Sequence, residues 1–431
     1  MNSLNSKPNQ QAVYIWNILG SLTNALLSMV SLMIVTRTVT GKEADIFSIA
    51  WAISQLMSTI GTFQIRNYQA TDVKEVFKFK QYFVFRILTI FIMMVSSIGY
   101  VLAKEYDLYK SLIIMIVCCF RAIDSLADIY EGLFQQKERL DLAGKAITFR
   151  VVFAIVVFGV VLSCAHNLLA AVLSLMLSYI VGFIYTDLRY YFIVANLRSE
   201  CKPKLEFNSL FLLFKEGLPL FVNAFLMMAI TNEPKMAIDR AIEYGNMTDG
   251  TQTIFSILFM PASVLTLAYI VFRPMITQMA ILWSEKKINK FLKIIYKIGV
   301  CLLLIAVVVM MGSAVLGIPV LSVIYAIDLS DYRIHLLIFV FGGCFCTFSY
   351  VLDNALVVIR YQYMLIFSYL ITWIYVKIIT DWLVSKFDML GAAFSYASSM
   401  IVFFCITIFL FWFYLRKAKK LSQGDKINAQ I

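Results

Sequence analysis

The sequence predicts an all-α integral membrane protein, and three observations support this fold class. Of the 431 residues, 61% are hydrophobic and only 15% are charged, whereas about 25% of the residues of a soluble protein are charged. The mean hydropathy is +0.82. The apolar residues also form long runs, and a helix that crosses the hydrocarbon of a bilayer needs about 20 such residues.

Twelve apolar runs follow one another along the chain, with short connections between them. Because each run is long enough for one helical span, we predict twelve transmembrane helices. The expected spans are 13–35, 46–63, 81–102, 111–134, 144–164, 168–194, 209–231, 251–272, 294–316, 334–358, 363–384 and 389–415. The longest connections, 195–208 and 232–250, are too small for a separate soluble domain.

The basic residues predict the orientation of the spans. With the N-terminus in the cytoplasm, the cytoplasmic segments hold more than twice as many Lys and Arg residues as the outer segments, which hold 8. Basic residues collect on the cytoplasmic side, so we expect a multi-pass protein of the cytoplasmic membrane with both termini in the cytoplasm. The net charge of +11 has the same origin. No basic stretch is long and interleaved with aromatic residues, so nucleic acid is not an expected partner.

A weak internal repeat predicts two lobes. The sequence of Asn24–Met29 (NALLSM) in the first span is similar to that of Asn223–Met228 (NAFLMM) in the seventh. We therefore predict an N-terminal lobe at residues 1–200, with spans one to six, and a C-terminal lobe at residues 201–431, with spans seven to twelve. Six spans per lobe would insert both copies in the same orientation.

Charged side chains interrupt the fourth span along one face. On a helix, Arg121, Asp124, Asp128, Glu131 and Gln135 fall within a sector of about 80°. A lone charge at the bilayer centre costs about 2.5–3.5 kcal/mol, so this stripe must face protein or water. Two interpretations are open. Arg121 pairs with Asp124 or Asp128 to lock helices together, or the stripe lines a water-filled path.

Asparagines mark milder polar faces on two other spans. Asn17 and Asn24 share one face of the first span with several serines, and Asn223 lies in the seventh span. Small and amide side chains commonly hold membrane helices together. We expect the face of the first span to pack against a neighbouring helix.

Two further spans carry charges. Arg150 in the fifth span lies within reach of the fourth across a hairpin. Lys377 and Asp381 are one helical turn apart on the eleventh span, which predicts an intrahelical ion pair.

The chain shows no sequence signs of an enzyme. It has two histidines, His166 and His335, and it lacks a nucleophile elbow, a phosphate-binding glycine loop and a metal-ligand cluster. We therefore expect no catalysis and no cofactor, with Na⁺ or H⁺ as the candidate coupling ion.

Three regions of the chain carry a family resemblance. The first runs from LPLFVN at 218–223 through NEPKMAID at 232–239 to FSILFMPAS at 255–263. The second is GIPVLSVIYAID at 317–328, and the third is DIYEGLFQ at 128–135. These segments resemble the polysaccharide (Wzx-type) flippase branch of the multidrug/oligosaccharidyl-lipid/polysaccharide exporter superfamily.

The resemblance implies a V-shaped, MATE-like pair of six-helix lobes. Such a protein moves lipid-linked (polyprenyl-pyrophosphate) oligosaccharide units across the cytoplasmic membrane for surface polysaccharide synthesis, by ion-coupled alternating access. The implied partners are this substrate, membrane lipids, and the polymerase and glycosyltransferases of the same pathway.

The resemblance also implies a cationic cavity for the pyrophosphate and sugars. The candidate head-group residues are Arg37, Arg66, Arg121, Arg150, Lys215 and Arg273. The stripe of the fourth span, however, has three carboxylates to one Arg. We therefore expect Asp124, Asp128 and Glu131 to bind the coupling ion or to orient Arg121.

Two other functions remain open. A multidrug or small-solute cation antiporter of the same superfamily would have the same fold and a more apolar, less cationic cavity. A membrane polysaccharide polymerase or glycosyltransferase would need a larger external loop with clustered catalytic residues, and the connection at 232–250 is too small for one.

Overall fold

The computed structural model describes residues 10–72, 75–195, 207–268 and 272–428, and within these ranges the regular structure is entirely helical. The α-helices are α1 (Gln10–Thr38), α2 (Gly41–Thr62), α3 (Ile65–Thr71), α4 (Phe79–Lys104), α5 (Leu108–Gln136), α6 (Leu140–Ala165), α7 (Leu168–Phe183), α8 (Arg189–Ala195), α9 (Phe207–Glu243), α10 (Thr251–Ala268), α11 (Arg273–Ser284), α12 (Ile288–Gly312), α13 (Ile318–Tyr325), α14 (Arg333–Val358) and α15 (Leu365–Asn428). Two π-helical segments, Ile184–Leu188 and Ser313–Gly317, join α7 to α8 and α12 to α13.

Eight helical stretches of the described residues are long and apolar enough to cross a membrane. They are Gln11–Thr38, Phe79–Lys104, Leu140–Ala165, Leu168–Val194, Asn208–Glu243, Ile288–Tyr325, Ser330–Val358 and Gln362–Lys419. The prediction of a multi-pass α-helical membrane protein is therefore confirmed. Helix α5, with its five charged side chains, is not among the eight. The number of twelve spans stays a prediction.

The stretch Gln362–Lys419 is too long for a single span. Its 58 residues would form a straight helix of about 87 Å, whereas the hydrocarbon is about 30 Å thick. Asp388, with φ 50° and ψ −133°, breaks α15 in two, at the point where the sequence separates the last two expected spans. Near this break, a Cβ on Gly391 would lie 2.0 Å from the carbonyl oxygen of Leu383. Only glycine allows so close an approach of the two backbones.

The expected connection at 232–250 is wrong in its first half, because residues 232–243 are the end of α9. The polar sequence there suggested the end of the seventh span. This stretch is instead helical and carries Glu233 and Arg240, whose side chains form an ion pair. Three further helices, α3, α11 and α13, lie in segments that we expected to be connections.

Helices α1 and α6 pack against each other at glycines. A Cβ on Gly144 would lie 2.1 Å from the carbonyl oxygen of Trp16, and one on Gly20 would lie 2.9 Å from Cα of Gly144. Small residues let membrane helices approach closely, because van der Waals packing then replaces contact with lipid. The two backbones therefore touch at this crossing.

The chain forms two packing units, Met1–Met228 and Ala229–Ile431, and the boundary falls inside α9. In the first unit, α5 packs against α2, α3, α4, α6 and α7. In the second unit, α14 packs against α10, α12 and α15. The lobes expected at 1–200 and 201–431 stay a prediction. Because α5 is surrounded by these helices, its charged side chains can contact residues of its neighbours.

Candidate functional site

The carboxylates of α5 pair with arginines from neighbouring helices. Asp128 Oδ1 lies 3.2 Å from Arg66 Nη1, and Asp128 Oδ2 lies 2.7 Å from Arg86 Nη2. Glu131 Oε2 lies 2.5 Å from Arg66 Nη1, and Glu131 Oε1 lies 2.7 Å from Arg150 Nη2. Helices α3, α4 and α6 are therefore linked to α5 by charge-assisted hydrogen bonds.

Arg121 forms a second branch on the same helix. Its Nη1 lies 3.2 Å from Asp124 Oδ2, one turn along α5, and its guanidinium lies 4.6 Å from the centre of the Trp51 ring. The Tyr179 hydroxyl of α7 donates a hydrogen bond to Asp124, and the guanidinium of Arg150 lies 4.9 Å from the centre of the Tyr179 ring. Tyr179 thus connects the two branches. Arg121 thus pairs with Asp124 within α5, and the choice between helix locking and a water-filled path stays open.

The π-helical segment after α7 contributes a further carboxylate, that of Asp187. Arg150 Nη1 lies 2.5 Å from Asp187 Oδ2, and the Thr186 hydroxyl donates to the same oxygen at 2.8 Å. A π-helical turn contains one more residue than an α-helical turn, and such turns are frequent at functional sites. Here the extra residue places Asp187 against Arg150.

These ion pairs form one group that we call the ion network. Its members are Arg66, Arg86, Arg121, Arg150, Asp124, Asp128, Glu131 and Asp187. The four arginines balance the four carboxylates. The excess of carboxylates on α5 is therefore compensated, because three of the arginines come from other helices. Removing a fully buried member such as Asp187, with no acceptor left in its place, leaves its arginine uncompensated, which is strongly destabilising.

The ion network has a buried end and an open end. The side chains of Arg86, Arg150 and Asp187 are 0%, 1% and 0% exposed. Those of Asp124 and Asp128 are 28% and 21% exposed. Glu131 is buried and bridges Arg66 and Arg150. Asp124 and Asp128 at this open end are the most exposed carboxylates of the ion network.

The six candidate head-group residues are only partly brought together. Arg66, Arg121 and Arg150 belong to the ion network. Arg37, near the end of α1, and Lys215, on α9, have exposed side chains and are not among its eight members. The side chain of Arg273 lies outside the described part of the structure. The roles assigned to all six stay predictions.

The asparagines differ in their surroundings. Asn17 and Asn24 are exposed on α1, so these two side chains do not hold α1 to a neighbouring helix; the α1–α6 contact uses glycines instead. Asn223 is partly buried on α9, and its Oδ1 has no hydrogen-bond donor among the described residues. An exposed polar face within a span has to be met by water or by another polar surface.

A second ion cluster lies in the unit Ala229–Ile431. Glu233 on α9 is buried and pairs with Lys377 of α15 and, at 2.9 Å, with Arg240. Arg240 also lies 2.5 Å from Asp381. The expected intrahelical pair between Lys377 and Asp381 is therefore wrong, because each side chain contacts a partner on α9.

Four network or cluster residues were not recognised in the sequence. Arg86 and Asp187 each lie inside an expected span, and Glu233 and Arg240 lie in what looked like a connection. A single charge inside a span is itself a sign of a functional or paired residue, and this signal identifies Arg86 and Asp187. Their partners could not be identified, because these come from distant parts of the chain.

A buried acid of α14 has a different environment. The Tyr369 hydroxyl donates to Asp353 Oδ2 at 2.6 Å, while Oδ1 has no partner among the described residues. Across all the residues that the structure describes, there is no group of three or more His, Cys, Asp or Glu side chains that is suited to a metal ion.

Comparison with known proteins finds a relative in sequence and several similar folds. The chain is 24% identical to the capsular polysaccharide biosynthesis protein CapF of Staphylococcus aureus over 420 residues, which cover 95% of this chain and 99% of the relative. Its fold is similar to that of a multidrug resistance MATE family transporter of the MOP superfamily in an inward-facing conformation. The TM-score is 0.68 and the identity 12%, with 92% of this chain and 96% of the other covered.

The fold is also similar to that of the lipid II flippase MurJ in an inward closed conformation. The TM-score is 0.65 and the identity 14%, with 92% of this chain and 86% of the other covered. At these identities, the two solved structures establish a MATE-like fold. The model of one family, described as polysaccharide biosynthesis protein, matches residues 13–280, which is more than half of the chain. This chain therefore belongs to the polysaccharide biosynthesis protein family.

Proposed function

We propose that this protein is a flippase that moves lipid-linked oligosaccharide units across the cytoplasmic membrane, for the synthesis of a surface polysaccharide. The observation that carries this proposal is the ion network inside the helices of a polysaccharide biosynthesis protein. A bundle that only anchored other proteins would have no need for eight charged side chains. The full-length likeness to CapF and the similar fold of the lipid II flippase support the same substrate class.

The proposed transport needs no covalent chemistry. A polar head group must leave water to cross the hydrocarbon, and fixed charges within the protein can replace its hydration. Arginines are suited to the phosphates, because the guanidinium stays charged and offers several donors. The polyprenyl chain remains in the lipid throughout.

Coupling to an ion is part of the proposal. Asp124 and Asp128 stand at the open end of the ion network, where H⁺ or Na⁺ can compete with Arg121, Arg66 and Arg86 for a carboxylate oxygen. Release of an arginine on ion binding would free a cation for the substrate. Ion binding would thereby favour one conformational state over another.

We further propose that both termini lie in the cytoplasm. The excess of Lys and Arg in the segments assigned to that side supports this orientation. The polymerase and glycosyltransferases of the same pathway would supply and consume the transported unit.

The decisive experiment is deletion of the gene, followed by examination of right-side-out membrane vesicles with periodate, an oxidant that does not cross the bilayer. We expect the lipid-linked units to accumulate and to resist oxidation, because they are trapped on the cytoplasmic side. Restoring the gene should make them accessible.

The same experiment separates the rival functions. Units that accumulate in a form accessible to periodate would point to a polymerase or glycosyltransferase, because flipping would then be intact. No accumulation, together with increased sensitivity to lipophilic cations, would point to a multidrug antiporter. Either result would overturn the proposal.

A further inference from the structure

We propose that Lys235 is a contact for the diphosphate of the transported lipid, an inference that rests on the function proposed above. Lys235 lies on α9, in the segment that the sequence assigned to a connection. Its side chain is partly buried, and no ion pair joins it to a carboxylate among the described residues. An ammonium group of this kind has donors to offer to an anionic ligand.

The basic side chains of the ion network and of the second ion cluster are occupied by carboxylates. Arg66, Arg86, Arg121 and Arg150 each contact a carboxylate of the ion network. Arg240 and Lys377 share Glu233. For these residues, binding of a phosphate requires the loss of an existing ion pair. Lys235 can bind a phosphate without the loss of an ion pair.

The surroundings of Lys235 are aromatic. Its Nζ lies 5.3 Å from the centre of the Phe259 ring on α10. Phe259 in turn packs against Phe255, Phe339 and Tyr396, with ring centres 6.1, 6.1 and 4.9 Å away. The ring face attracts the ammonium and keeps water from one side of it, but the ring supplies no negative charge. The positive charge of the ammonium is therefore only partly compensated by its surroundings.

The chemistry of the residue favours a phosphate ligand. Lysine carries a compact charge with three donors on a flexible stem, so it binds phosphate as a point charge and can follow a ligand that moves. The nearby carboxylate of Glu233 is engaged by Arg240 and Lys377. A diphosphate would supply the missing counter-charge.

The test uses the full-length protein in lipid nanodiscs. Binding of a polyprenyl pyrophosphate is measured for the wild type, Lys235→Gln and Lys235→Arg. The matched control is Lys386→Gln, because Lys386 also lies over aromatic rings, 5.3 Å from Trp382 and 5.4 Å from Phe387, but on the exposed surface.

We expect Lys235→Gln to weaken binding by about tenfold or more, the factor that corresponds to one charge-assisted hydrogen bond. Lys235→Arg should retain most of the affinity, and Lys386→Gln should leave it unchanged. Inorganic pyrophosphate should compete for the wild type and lose this ability in Lys235→Gln, because Lys235 is expected to contact the diphosphate and not the lipid chain.

Thermal unfolding provides an independent readout. Lys235→Gln should unfold at a temperature no lower than the wild type, because it removes an uncompensated charge. A marked decrease would show a structural pairing and overturn the inference. So would unchanged binding of polyprenyl pyrophosphate by Lys235→Gln. A wild-type protein that binds no polyprenyl pyrophosphate would instead count against the flippase function itself.

Discussion

The guanidinium of Arg150 contacts the carboxylate of Asp187 at 2.5 Å, with both side chains buried. The other amino group of Arg150 contacts Glu131 at 2.7 Å. One cation thus joins α6, α5 and the π-helical segment Ile184–Leu188. These contacts make Arg150 and Asp187 the fixed end of the ion network, and the first prediction concerns this pair.

Replacing Asp187 with Ala should destabilise the protein by about 3–5 kcal/mol, because it leaves part of a buried cation without its partner. The measurement is thermal unfolding of the purified protein in detergent. The control is Asp249→Ala, at an exposed position between α9 and α10, which should change little. Equal unfolding temperatures for the two variants would contradict a structural role for Asp187.

The two acids of the second ion cluster should differ in their effect on stability. The Glu233 side chain is 3% exposed and that of Asp381 is 66% exposed. We expect Glu233→Gln to cost about 1–3 kcal/mol, because two cations lose a buried counter-charge. Asp381→Asn should cost at most about 1 kcal/mol, the range of exposed ion pairs. Comparing the two variants by thermal unfolding checks this, and a larger effect of Asp381→Asn would refute it.

Gly144 should tolerate no side chain. A methyl group there would overlap the carbonyl oxygen of Trp16, so Gly144→Ala should force α1 and α6 apart and cost about 1–3 kcal/mol. Gly99 on α4 is the matched control, since a Cβ there would meet nothing within 4 Å. Both variants can be compared by unfolding temperature and by yield from the membrane. The prediction fails if Gly144→Ala behaves like Gly99→Ala.

The open end of the ion network should matter for transport more than for folding. We expect the double variant Asp124→Asn with Asp128→Asn to insert normally, because asparagine still accepts hydrogen bonds from the arginines. Export of the surface glycan should fall about tenfold or more, which corresponds to roughly 1.4 kcal/mol or more. Glycan on intact cells and protein in the membrane fraction are measured together. Asp331→Asn, at an exposed position before α14, is the control, and normal glycan in the double variant would remove both aspartates from the mechanism.

The sequence alone predicted much of the fold, for a simple physical reason. Hydrocarbon demands long apolar helices, and such helices can be recognised without any knowledge of their neighbours. The break at Asp388 falls where the composition separates the last two expected spans. The stripe on α5 could also be recognised, because one helix period relates Arg121, Asp124, Asp128 and Glu131.

The partners of these charges could not be predicted, because pairing depends on contacts between distant parts of the chain. Arg86 and Asp187 each look like an isolated charge until α4 and the π-helical segment pack against their neighbours. The same limit explains the error at Lys377 and Asp381, where contacts with α9 replace the local pair. It also explains the end of α9, where polar residues belong to the second ion cluster and not to a loop.

The charge balance of the ion network has an electrical consequence. A membrane voltage changes the energy of a displaced charge by about 2.3 kcal/mol per elementary charge for each 100 mV. Four arginines and four carboxylates that move as one body carry no net charge, so the voltage does no net work on them. Any dependence of transport on voltage must then arise from charges outside this group, such as Lys235, or from the substrate and its coupling ion.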